Sequence, residues 1–204
     1  KNKNYILMGE WLLEDFKKEE IKKNNFKIPN PASVDRENRK KSYLKCEEIF
    51  LNVNGESKQF IAPARRLLSD ALRNELGLTG THVGCEHGVC GCCTVLIDDQ
   101  PVRSCLTFAI AVQDKNIRTV EGLADDNGEL HPVQAAFKEC HGLQCGFCTP
   151  GFLMTAAALV EQNPDPSKEE ITEAIAGNLC RCTGYQNIRA AVSYAVELMQ
   201  SDVQ

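Results

Sequence analysis

No stretch of this 204-residue sequence reaches the roughly 18 consecutive apolar residues that a membrane-spanning helix needs. The richest run, residues 152–160, is half that length. With 14 glycines, 8 prolines and 43% hydrophobic residues, the chain is neither collagen-like nor too poor in core-forming residues to fold. It has no G-x-G-x-x-G turn and no P-loop, so it offers no phosphate-cradling loop. No secretory signal is expected either. Ile6, Leu7 and Met8 give way at once to Gly9 and Glu10, and Arg39-Lys40-Lys41 runs into Ser42 and Tyr43 instead of an apolar stretch. The expected compartment is the cytoplasm, where thiols stay reduced. Histidine is scarce, at four residues, but cysteine is not: there are eleven, ten of them between Cys85 and Cys182. An odd number cannot all pair within one chain, and clustered reduced thiols read as metal ligands.

Charge divides the chain. Residues 1–45 hold 12 Lys and Arg against 7 Asp and Glu, a balance of +5; residues 46–204 hold 11 against 21, a balance of −10. An acidic body argues against nucleic acid as a partner. Three domains are expected. Residues 1–45 form a basic extension with a helix near 10–23, on which Trp11, Leu12, Phe16 and Ile21 make a narrow apolar stripe. That stripe suits either docking on another subunit or packing on its own domain.

Residues 46–125 read as a small α+β unit. A hairpin is expected from strand 49–53, the Asn54-Gly55 turn and strand 59–61, then a helix over 67–76. A Gly/Cys loop at 84–93 leads into strand 94–97, the Asp98-Asp99 turn and strand 102–105, with Thr119 and Val120 closing the unit. Residues 126–204 read as four helices, near 132–140, 149–161, 168–176 and 187–199, with loops short enough for a bundle.

Cys85, Cys90, Cys93 and Cys105 have the spacing C-x4-C-x2-C with a fourth cysteine further on. This is the plant-type 2Fe–2S spacing, in which one loop wraps a flat two-iron cluster and turns its amides inward. Gly84, Gly88 and Gly91 suit such a loop, because glycine lets N–H groups approach sulfur. Cys92 could compete with Cys93 as a ligand. The second set is Cys145 and Cys148, then Cys180 and Cys182, each pair expected at the N-terminal end of a helix, where anionic groups are favoured. From spacing alone this set could hold an iron–sulfur cluster or a structural zinc ion. Cys46 and Cys140 are expected to be small core residues. His87 reads as a loop residue facing a partner, since a Rieske site needs two histidines in place of two cysteines.

Three motifs in order carry a resemblance. They are Gly84-Cys85-Glu86-His87-Gly88-Val89-Cys90-Gly91-Cys92-Cys93-Thr94-Val95, His141-Gly142-Leu143-Gln144-Cys145-Gly146-Phe147-Cys148-Thr149-Pro150-Gly151 and Gly177-Asn178-Leu179-Cys180-Arg181-Cys182-Thr183-Gly184-Tyr185. From about residue 47 to 199 the chain resembles the iron–sulfur subunit of the molybdenum hydroxylases, the xanthine dehydrogenase and aldehyde oxidase family. It is most similar to the small subunits of three-subunit bacterial enzymes such as carbon monoxide dehydrogenase. The resemblance implies a β-grasp, plant-ferredoxin-like domain followed by an all-α four-helix-bundle domain, with two 2Fe–2S clusters. It implies that Cys145, Cys148, Cys180 and Cys182 hold a molybdenum-proximal cluster, and that Cys85, Cys90, Cys93 and Cys105 hold the other. Gln144 would contact the pterin across a subunit interface, and Arg181 would either tune a potential or lie idle on the surface. The implied function is electron transfer without bond-making chemistry, from the molybdopterin of a large subunit to FAD on a medium subunit. The resemblance does not extend to residues 1–45. Two other readings remain at this point: a free-standing two-cluster ferredoxin and a zinc-stabilised interaction module.

Overall fold

Ile49, Leu51 and Val53 alternate inward along strand β1 (Cys46–Val53), which pairs antiparallel with β2 (Glu56–Pro63) as the sequence predicts. Asn54 (φ 52°) and Gly55 (φ 79°) both take positive φ at the turn, the two-residue geometry that matches the twist of paired strands. The structure, a computed structural model, describes residues 46–125 and 127–201. The expected helix at 10–23, like all of residues 1–45, lies outside the described residues. Cys46 is exposed and not in the core, because the period of two that buries 49, 51 and 53 turns the even-numbered positions outward.

The expected helix over 67–76 is shorter and looser than predicted. It begins as a single turn, α1 (Leu68–Asp70), and widens into a π-type turn over Ala71–Glu75. Leu76 N–H then reaches Ala71 O (3.0 Å) and Leu78 N–H reaches Leu72 O (2.8 Å). Burying Leu68, Ala71 and Leu72 together holds this shape.

Strands β3 (Thr94–Ile97), β4 (Gln100–Arg103) and β5 (Asn116–Arg118) complete a mixed sheet in the order β2-β1-β5-β3-β4, with β1 and β5 parallel. Two boundaries differ from expectation. The closing strand lies before Thr119 and Val120, because Ile117 is the residue that pairs with Val53 and Ile97 and is buried. Thr119 leaves the ladder to exchange hydrogen bonds with the Asn54 side chain. The hairpin strand ends at Arg103, and Cys105 sits in the following 3-10 turn, Ser104–Leu106.

The helices α2 (Pro132–Glu139), α3 (Thr149–Gln162), α4 (Lys168–Ile175) and α5 (Gln186–Ser201) stand where the periodicity puts them. The apolar run at 152–160 is the middle of α3, which is buried on nearly every side by β3, β4 and the other helices. Among the described residues, no helix is long and apolar enough to cross a membrane. Strand β3 is buried on both faces. Its Val95 and Ile97 enter the core between sheet and α1, while Leu96 enters the helical core with Phe137, Phe152 and Met154. One strand thus joins two cores by alternation alone. The described residues all fall in one compact unit, Lys45–Gln204.

Candidate metal centre

The loop at 84–93 folds over its own thiols. Cys90 N–H points at Cys85 Sγ (3.4 Å). The β3–β4 register pairs Thr94 with Arg103, so one step further Ser104 meets Cys93; the Ser104 hydroxyl donates to Cys93 O (2.7 Å). Cys105 follows at once, its thiol a neighbour of Cys93. The register of a hairpin thus explains the long gap before the fourth cysteine.

The second set forms from two turns. Cys148 caps the N-terminus of α3. Cys180 and Cys182 lie in the turns before α5, which begins only at Gln186, so this pair is not at a helix end as expected. The Tyr185 hydroxyl folds back over that turn, accepting from Cys180 N–H (3.0 Å) and donating to Asn178 O (3.3 Å). Cys148 is within reach of Cys180, and Cys182 within reach of Cys145. The thiols are therefore neighbours within two sets: Cys85 and Cys92 both meet Cys90, Cys93 meets Cys105, Cys145 meets Cys182 and Cys148 meets Cys180. Among the described residues no three His, Cys, Asp or Glu side chains converge as they would on one metal ion. Neighbouring thiols at each site, with N–H groups aimed at sulfur, suit a two-iron group.

The thiols differ in electrostatics. Cys85 is pulled down to about 6 by the Cys90 N–H and then the His87 N–H. Cys105 is pushed up to about 11, and Cys148 and Cys92 to about 12, in each case first by burial and then by neighbouring thiols. Burial opposes ionisation of Cys180 too, but the Thr183 hydroxyl and nearby N–H groups outweigh it and hold that thiol below its usual range. Cys182 is raised through its contact with Cys145. The thiolate is the reactive form, and a lowered Cys85 stays ionised above about pH 6. In metal-stripped protein at pH 7, alkylation of Cys85 should therefore outpace that of Cys148 and slow as pH falls through 6. Mass-mapped labelling between pH 5 and 8 checks this; equal rates would refute it.

Cys92 is 4% exposed and packs in the helical core with Cys148. It neighbours Cys90 of the first set and Cys148 of the second, so it lies between the two. Cys140 is half-buried against the same core. Gln144 is exposed beside the exposed Cys145, and His87 and Arg181 are exposed as well.

Several residues that join the two loops carry no local sequence signal of that role. Asn178, 1% exposed, donates through Nδ2 to Gly91 O (3.0 Å) and accepts from Thr155 Oγ1 (3.0 Å). Leu179 N–H bonds Cys90 O (2.9 Å). Arg103 bonds Gly177 O (2.6 Å) and Thr94 Oγ1 (2.5 Å). His82 stacks on Phe147 at 5.1 Å and its Nδ1 meets Phe147 O (2.8 Å). Asn178, Leu179 and Phe147 lie inside the three motifs, whereas Arg103, Thr155 and His82 lie outside them.

Residues 51–124 match a family described as a 2Fe-2S iron-sulfur cluster binding domain, and residues 119–193 match a [2Fe-2S] binding domain. The chain is 58% identical to the nicotine 6-hydroxylase small subunit of Paenarthrobacter nicotinovorans, over 71% of this chain and 87% of that one. It is 55% identical to caffeine dehydrogenase subunit gamma of Pseudomonas sp. strain CBB1, over 76% and 95%. Among solved structures, quinoline 2-oxidoreductase from Pseudomonas putida 86 superposes with a TM-score of 0.73 at 46% identity, covering 77% of this chain and 98% of that one.

Proposed function

We propose that this chain, which belongs to the small iron–sulfur subunits of the molybdenum hydroxylase (xanthine dehydrogenase) family, relays electrons from the molybdopterin site of a large subunit to FAD on a medium subunit. Cys85, Cys90, Cys93 and Cys105 would hold one 2Fe–2S cluster in a β-grasp, ferredoxin-like domain at 46–125. Cys145, Cys148, Cys180 and Cys182 would hold the other in a four-helix-bundle domain at 126–204. When bound, each such cluster takes up and passes on one electron at a time. The chain's own residues supply thiolates, N–H donors, burial and a fixed spacing between the sites. Gln144, exposed next to Cys145, is the residue that would meet the pterin. The reading assigns the complex to the cytoplasm.

The observation that carries this reading is the gathering of eight thiols into two neighbouring sets, joined through Asn178 and the Leu179–Cys90 hydrogen bond. Exposed apolar side chains beside each set favour a subunit over a free carrier. Val89, Leu106 and Phe108 flank the first set, and Leu143, Phe147 and Leu179 the second. A soluble shuttle has no need of two such surfaces, whereas a chain wedged between partners covers both. A zinc module is disfavoured because both matched domain families are 2Fe-2S cluster binding domains. The relatives named for nicotine and caffeine favour an N-heterocyclic substrate for the complex, bound on another chain.

Native purification with metal analysis tests the reading. The expected result is about four irons and four acid-labile sulfides per chain, two per cluster, with molybdenum- and flavin-bearing chains co-purifying. Zinc without sulfide, or a lone monomer without such partners, would overturn it.

A further inference from the structure

The two thiol sets differ in their hydroxyl groups. Near the first set, the hydroxyls are committed to carbonyls: Ser104 to Cys93 O (2.7 Å) and Thr94 to Gly91 O (2.6 Å). Sulfur there is served by main-chain N–H groups. At the second set, the Thr183 hydroxyl accepts from Tyr185 N–H (3.1 Å) and lies 3.3 Å from Cys180 Sγ. One of its two lone pairs takes that N–H, and its single proton is the donor toward the sulfur.

Thr149 supplies a second, independent observation. Its Oγ1 is buried and has no hydrogen-bond partner, although it directly follows Cys148 in the first turn of α3. A buried hydroxyl left unpaired is destabilising. The first turn of a helix is rich in free N–H donors and poor in acceptors. The nearby carbonyls of Gly146 and Cys148 already accept from Thr149 N–H and Phe152 N–H. An acceptor is needed that the polypeptide does not provide, and sulfur of a cluster held by the adjacent cysteines would supply it.

We infer that Thr149 and Thr183 donate hydroxyl hydrogen bonds to sulfur at the Cys145/Cys148/Cys180/Cys182 site and raise the reduction potential of the cluster held there, leaving the other cluster to its backbone donors. This rests on the assignment of two 2Fe–2S clusters. The sign follows from charge: reduction adds a negative charge, and a donor to sulfur stabilises the more negative state.

The test is an electron paramagnetic resonance redox titration of the full chain carrying its clusters, in the wild type and in Thr183→Val, Thr149→Val and the matching Ser variants. Valine keeps the shape of threonine and removes the proton donor. Each Val variant should lower the midpoint of one signal by roughly a three- to tenfold change in its reduction equilibrium, tenfold being 59 mV for one electron. The other midpoint should not move, and Ser should restore the wild-type value. Two intact signals with unmoved midpoints in both Val variants would overturn the inference, as would equal shifts of both midpoints or Ser variants that behave like Val. Absence of any 2Fe–2S signal from the wild type would overturn the functional assignment itself and the inference with it.

Discussion

Cys148→Ser should erase one of two 2Fe–2S signals and leave the other, with iron falling from about four to about two per chain. Cys148 is buried, heads α3 and pairs with Cys180. Serine fits the space but offers a hydroxyl where the proposed ligand would be a thiolate. The remaining three thiols of that set would be left with Cys145 and Cys182 still in contact and Cys180 unpaired. The first set should be untouched, because its four thiols come from the 84–93 loop and the β3–β4 hairpin. Loss of both signals in a protein that remains folded would contradict two independent sites. Cys92 is the one thiol placed to interfere, since it neighbours both sets. Cys92→Ala should therefore keep both signals, and loss of the first would show that Cys92 and not Cys93 is the ligand.

Gly151→Ala should lower the stability of the protein by about 3 kcal/mol, the upper end for forcing extra atoms into a packed core, or roughly 6–12 °C in melting temperature at this size. An added Cβ would lie 2.2 Å from Gly91 O and 3.0 Å from Cys92 Cα. These are backbone atoms, so a side-chain rotation cannot make room. The Gly91 carbonyl cannot retreat freely either, because the Thr94 hydroxyl, the Thr94 N–H and Asn178 Nδ2 all hold it. Gly91 itself has φ 74°, and a Cβ there would lie 2.6 Å from Gly177 O. Helix α3, the 84–93 loop and the 177–182 turn thus meet where no side chain fits. Thr155→Val, which removes only the hydroxyl donating to Asn178, should cost about 1 kcal/mol. Thermal unfolding checks both, and a Gly151→Ala melting temperature equal to the wild type would show that the close approach is not a constraint.

Much of this protein is legible in one dimension, and the reason is local. The β1–β2 hairpin follows from period-two alternation around Asn54-Gly55, two residues that accept positive φ. The four helices follow from apolar periodicity and from Pro132 and Pro150 in first turns. The 85-90-93 spacing points to its chemistry because a short covalent span limits where three thiols can go. Where neighbours in space are distant in sequence, local pattern is silent. Whether residues 71–75 wind as α or π, and whether the last strand ends before or after Thr119, depended on burying Leu68, Ala71 and Leu72 together and on the Asn54 side chain.

The sequence by itself determined that eleven cysteines divide into two ligand-like sets and three others, and that a small α+β unit precedes four helices. Only the tertiary structure decided which thiols stand together, that Cys46 faces solvent while Cys92 sits between the sets, and that Asn178, Thr155, Arg103 and Gly151 brace the two loops. Spacing records the reach of a loop, whereas those facts depend on hydrogen bonds and packing between residues up to 89 positions apart, which no local periodicity encodes.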